Sequence, residues 1–193
     1  SGTTGPPKGV LHAHRVLLGH LPAFDLFLDL FSTYRNKIYN LLWTPADWAW
    51  IGGLLNILFS SLHHGVPVLA YRFEKFDALK AIQLISDFKV TGSFLPPTAL
   101  KMLRSSIPKK TSKKLYLKSV ASGGEPLGTE LLDWGRKVVG VNINEMYGQT
   151  EWNLVLSYCS QIMKTRPGHA GPPAPGHIVI KVKKNGIHRQ KRK

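Results

Sequence analysis

A chain of 193 residues amounts to one domain or a large part of one, at roughly 100–200 residues per domain. Its 43% apolar and 19% charged residues can build a core, which excludes wholesale disorder. The single cysteine, Cys159, excludes an intramolecular disulfide framework and favours a reducing compartment, the cytoplasm. The formal charge of +15 is unevenly spread: all 11 acidic residues lie within 1–151 beside 17 of the 26 basic ones, and residues 152–193 hold the other nine basic residues and no acid.

In chain order, apolar spacing predicts a helix over 14–31, interrupted by Arg15, His20, Asp25 and Asp29, then a strand over 38–43 and a loop at 44–47. Residues 48–71 carry no charged side chain, a length that spans a bilayer. Gly52, Gly53, Asn56, His63, His64, Gly65 and Pro67 break it, however, so it reads as a buried helix (48–62), a turn (63–65) and a strand (66–71), with no membrane span. A helix over 76–88 and a strand over 90–95 follow. Pro96-Pro97 opens a helix reaching 104, because proline suits a first turn. Residues 107–114 form a predicted surface loop, 116–121 a strand ending in Ser122-Gly123-Gly124, 128–139 a helix and 141–147 a strand. Beyond 165 the Gly- and Pro-rich chain is irregular. This alternation predicts an α/β fold with a mainly parallel sheet flanked by helices, and ligands then bind beyond the carboxyl ends of the strands.

Three loops carry the chemistry. In residues 1–9, Gly2, Gly5 and Gly9 allow close backbone approach. Ser1, Thr3 and Thr4 supply hydroxyl donors and Lys8 a point charge for phosphate. It is not a Walker A loop, since Lys8 is followed by Gly9 and not by Ser or Thr. Gly123-Gly124-Glu125-Pro126 lies between a strand and a helix, where backbone can lie flat against a planar ring. In Tyr147-Gly148-Gln149-Thr150-Glu151, Tyr147 offers a stacking face, Thr150 a hydroxyl and Glu151 a hard oxygen ligand for Mg²⁺. Singly, each loop has an ordinary alternative: a linker, a plain βα turn, a capped strand end.

Together, in this order and at these separations, the three loops resemble the adenylate-forming (AMP-binding) superfamily, and residues 43–50, 95–100 and 166–176 resemble its acyl-CoA synthetase branch. The resemblance covers about 1–180 and implies part of the family's large N-terminal domain. It implies activation of a carboxylic acid by ATP-Mg²⁺ as an acyl-adenylate, then thioester formation with CoA. By resemblance, Ser1, Gly2, Thr3, Thr4, Gly5 and Lys8 handle the β- and γ-phosphates. Gly123, Gly124, Glu125 and Pro126 line the adenine on which Tyr147 stacks. Glu145, Gly148 and Gln149 complete the nucleotide site, Thr150 contacts the α-phosphate and Glu151 binds Mg²⁺. Lys8, Thr150 and Glu151 are the expected catalytic residues, and Lys8, Glu125 and Glu151 are expected to share one cleft. Acetate-using relatives carry Trp where Gly148 stands. Gly148, with Trp48 and Trp50, therefore predicts an acyl pocket for a short-to-medium-chain or aromatic acid.

The chain departs from the family in lacking a Thr-Gly-Asp segment for the ribose, in beginning at the phosphate loop, and in showing no lid with its lysine. The reading is thus of a fragment that alone turns over poorly. Its residues 181–193 are expected to be a basic tail, disordered or foreign to the domain, and Trp152 to narrow the nucleotide side of the pocket. His12 and His14 have no further ligands near in sequence, and Cys159 has no motif partner, so neither predicts a metal or thiol site. The competing functions are a basic nucleic-acid-binding module, motivated by the charge but lacking any recognised motif, and an inert gene remnant.

Overall fold

The computed structural model describes residues 5–6, 8–33, 41–107, 114–180, 182–183 and 186–187. Helix α1 (Val16–Phe27) tolerates Pro22 and stops where Asp29 and Leu30 turn left-handed, at φ 56° and 61°. Strand β1 (Leu42–Trp43) leads to α2, a continuous helical run made of Ile51–Gly53, a π-helical Leu54–Phe59 and Ser60–His63. Glycine is required at its start, since a Cβ on Gly53 would stand 2.5 Å from the Asp47 carbonyl oxygen. Helix α3 (Ala78–Asp87) begins later than its apolar spacing predicts because Asp77 caps it, its Oδ1 accepting from the Leu79 and Lys80 amides at 2.8 and 3.0 Å. Then come β2 (Gly92–Phe94), α4 (Pro97–Ser106) with proline in its first turn, and β3 (Ser119–Gly123). Helix α5 (Thr129–Trp134) runs on as a π turn, Gly135–Val139, into β4 (Ile143–Gln149) and β5 (Asn153–Ser157).

The sheet order is β1-β2-β3-β4-β5. The first three pairings are parallel, with Leu42 opposite Gly92, Ser93 opposite Val120 and Ala121 opposite Asn144; β4 and β5 are antiparallel, with a register shift between Tyr147 and Gly148. The mixed, mostly parallel α/β sheet agrees with the sequence reading, but two details differ. The strand expected over 66–71 reduces to one parallel bridge, Leu42 to Val68, at the sheet edge. Residues 153–157, to which the reading assigns no element, form β5 by folding back on β4. The strand expected over 38–43 is seen only as β1, and most of its remainder, like most of the predicted loop at 107–114, lies outside the described residues.

Side chains alternate across the sheet into two cores. Trp43, Val120 and Ile143 pack with Ile82, Leu100 and Leu131 of α3, α4 and α5. Phe94, Ala121 and Met146 pack with Phe24 and Phe27 of α1 and Ile57 of α2. The layers are therefore helix, sheet, helix. Buried Asp29 joins them: its carboxylate accepts from Ser119 Oγ (2.8 Å), Asn144 Nδ2 (2.8 Å), and the Ser160 amide (2.7 Å) and hydroxyl (2.8 Å). Among the described residues no helix is long and apolar enough to cross a membrane. Of the predicted tail, Val182–Lys183 and Gly186–Ile187 pair as antiparallel strands β6 and β7, and the rest lies outside the described residues.

Candidate nucleotide and acyl site

At the carboxyl ends of β3 and β4 a groove of about 150 Å³ is lined by Gly123 and Gly124 of one motif and Gly148, Gln149 and Thr150 of another. Trp50, Ile51, Gly52 and Asn56 of α2 and its N-terminal approach, Phe94 of β2, and Met146, Asn153 and Leu154 complete it. Backbone packing dictates the glycines. A Cβ on Gly123 would stand 2.7 Å from the Met146 carbonyl oxygen, and Gly124 has φ +103°, a conformation that side chains resist. Asn56, Phe94 and Asn153 were missed in the sequence. Asn56 is a polar break in an apolar helix, and Asn153 accepts a left-handed φ of 62°, which asparagine tolerates.

A Cβ at Gly148 would lie 2.1 Å from the Asn153 carbonyl oxygen. The β4–β5 pairing as it stands leaves no room for a Cβ here, so a tryptophan at this position requires β5 to sit differently. The expected Trp pair also divides. Trp50 lines the groove, but Trp48 lines a separate cleft of about 530 Å³ between 44–48 and 69–73, beside Asp47, Tyr71 and Arg72.

The charged residues do not gather as expected. Glu125 is exposed and turns to Lys101, its Oε2 3.8 Å from Nζ, and neither Glu125 nor Pro126 lines the groove. Glu145 is buried beneath the 124–127 turn, where Oε1 accepts from the Leu127 amide at 3.0 Å and Oε2 has no partner among the described residues. Burial pushes its carboxyl above the usual range, against the Leu127 hydrogen bond and the charge of His169. It braces the turn and does not line the groove. Tyr147 is exposed and meets exposed Trp152 edge-to-face, ring centroids 6.4 Å apart. Lys8 and Glu151 are exposed. Ser1, Gly2, Thr3 and Thr4 lie outside the described residues, while Gly5 adopts φ +94°. His12, four residues past Lys8, reaches the turn after β4, its Nε2 2.5 Å from the Thr150 carbonyl oxygen.

Gly123 and Gly124 carry no side chain and leave their backbone open to a planar ring, and Glu151, next in sequence to the groove-lining Thr150 but not itself a lining residue, carries a carboxylate of the kind that Mg²⁺ takes. Among the described residues no three His, Cys, Asp or Glu side chains group to cage a metal.

Residues 1–190 match the family described as AMP-binding enzyme. The chain belongs to that family. The match extends ten residues past the stretch on which the sequence resemblance rests. The mouse mitochondrial acyl-coenzyme A synthetase ACSM3 is 33% identical over 187 residues, covering 96% of this chain and 31% of its own length. The crystal structure of Brucella canis acyl-CoA synthetase superposes with a TM-score of 0.80 at 29% identity, covering 95% of this chain and 33% of that one. ATP-bound MatB from Rhodopseudomonas palustris, at TM-score 0.79 and 24% identity over 100% of this chain and 36% of that one, shares the fold. The chain thus spans about a third of the length of the relatives it matches.

Proposed function

We propose that the chain supplies the nucleotide and acyl site of an AMP-forming acid–CoA ligase. The observation that supports this most is the single groove shared by the Gly123-Gly124 and Gly148-Gln149-Thr150 loops at one rim of the sheet, with His12 bonded to the Thr150 carbonyl beside it. The substrate carboxylate attacks the α-phosphorus of ATP, pyrophosphate leaves, and an acyl-adenylate forms. A CoA thiol then attacks its carbonyl carbon and AMP departs. Such transfer needs mainly positioning and charge neutralisation. Backbone at Gly123 and Gly124 accepts the adenine face, Tyr147 stacks on it, Thr150 Oγ donates to the α-phosphate, and Lys8 meets the outer phosphates. Glu151 would hold Mg²⁺, which supplies further neutralisation of the phosphates. Trp50 and Phe94 wall the acyl end. Such apolar walls suit a short-to-medium-chain or aromatic acid. Residues 1–180 form the adenylation unit in this reading and 181–193 its basic tail. The single buried Cys159 fits a reducing compartment such as the cytoplasm.

Equilibrium binding of Mg-ATP tests the reading. Binding that Glu151→Ala abolishes supports it; no binding, or binding indifferent to Glu151→Ala, refutes it.

A further inference from the structure

Among the described residues, the segment that carries Lys8 meets little that holds it. From Lys8 to Arg15 only Val10 and His12 are half-buried; Leu11 is 99% exposed, and Lys8, Gly9, Ala13, His14 and Arg15 are exposed too. Among the described residues, residues 8–12 make one hydrogen bond to the rest of the molecule, from His12 Nε2 to the Thr150 carbonyl oxygen, across 138 positions of sequence. A carbonyl oxygen only accepts, so Nε2 carries the hydrogen and His12 is the donor in either protonation state. The acceptor belongs to Thr150, a residue that lines the groove and whose neighbour is Glu151.

We propose that His12 is a positioning residue that clamps the Lys8 segment against the Thr150–Glu151 turn and so sets where a polyphosphate tail is met. The inference rests on the nucleotide reading above. Lys8 is four residues from His12, at most about 14 Å of extended chain, so fixing His12 keeps the Lys8 backbone within that reach of the turn. A ligand that reaches Lys8 feels the clamp, and one that ends at the α-phosphate does not. His12 touches neither ligand in this account. Its effect passes through the backbone of 8–12, which distinguishes it from a general support of the fold.

The test compares Mg-ATP and AMP binding to the full chain, His12→Ala and His12→Gln. The loss of one hydrogen bond predicts Mg-ATP binding weakened about three- to tenfold in His12→Ala, with AMP binding held within about twofold. His12→Gln, whose side-chain amide also donates, restores most of the Mg-ATP affinity. Without nucleotide, trypsin cleaves His12→Ala after Lys8 faster than it cleaves the parent or His12→Gln. Equal weakening of ATP and AMP, or unchanged ATP binding with unchanged cleavage, overturns the clamp while leaving the nucleotide reading intact. A parent chain that binds neither nucleotide overturns both. Should His12→Ala fail to melt cooperatively, His12→Gln decides: a donor-bearing variant that folds yet loses Mg-ATP selectively against AMP rejects the hydrogen-bond account.

Discussion

Two buried carboxylates, on opposite faces of β4, show how differently one sheet treats the same chemical group. On the α1–α2 face, Asp29 is 4% exposed and receives four hydrogen bonds from three residues. On the α3–α5 face, Glu145 is 6% exposed, receives one from Leu127, and leaves Oε2 without a partner among the described residues. Removing a carboxylate from water is offset only where donors replace the water. Asp29 therefore joins α1 to β3, β4 and the loop after β5, whereas Glu145 is forced toward its neutral form beneath a turn that must keep one shape at the groove.

The contrast breaks hardest at Asp29. Asp29→Ala strands its donors and should cost on the order of 3–5 kcal/mol in denaturant unfolding, while Asp29→Asn should cost much less. The asparagine oxygen can replace Oδ1, and the Ser119 hydroxyl can turn to accept from the new amide. Equal losses for the two variants would mean that shape, not hydrogen bonding, makes Asp29 matter.

The next effect is acid sensitivity on the α1 face. Burial lowers the pKa of His20 from 6.5 to about 4; Asn153 opposes this and His177 adds to it. The unfolded chain therefore takes the proton first. Stability present above pH 6.5 falls as pH drops toward 4, by about 3 kcal/mol, and levels off below. Unfolding free energies of the parent and His20→Leu measured across pH 4–7 should diverge by that amount, and parallel curves would remove His20 as the cause.

At the groove, Gly148→Ala must displace Asn153 and should cost about 1–3 kcal/mol, with nucleotide binding reduced. Wild-type stability and binding in that variant would show that β5 yields freely.

Glu145 should act in the opposite pH direction to His20. Its folded carboxyl keeps its proton to higher pH than the unfolded one, so its contribution falls as pH rises from 4.5 through the raised value. Glu145→Gln retains the acceptor for Leu127 and should flatten that decline, with a change below about 1 kcal/mol near neutrality.

The smallest effect belongs to Glu125, whose pair with Lys101 is solvent-exposed; Glu125→Ala should change stability by less than about 0.5 kcal/mol. A large loss of nucleotide affinity in the same variant would return Glu125 to the site.

The strand–helix alternation and the layer architecture were legible in the chain, as were the two glycine-bearing loops that meet at the groove. The 2- and 3.6-residue periods of apolar residues reflect which face is buried, and glycine runs mark where backbone must approach something closely. The spacing alone missed the Asp77 cap, which moves the start of α3 to Ala78. Contacts between distant segments were not. Nothing near His12 announces a bond to Thr150, nothing near Asp29 announces Ser119, Asn144 and Ser160, and Trp48 and Trp50, two positions apart, end in different clefts because the chain turns into α2 between them. Glu125 and Glu145 kept their motif positions but meet Lys101 and Leu127, while Gly148 lines the groove. Local spacing dictates what an element is, but which way a side chain faces at a loop depends on the backbone that another part of the chain brings against it.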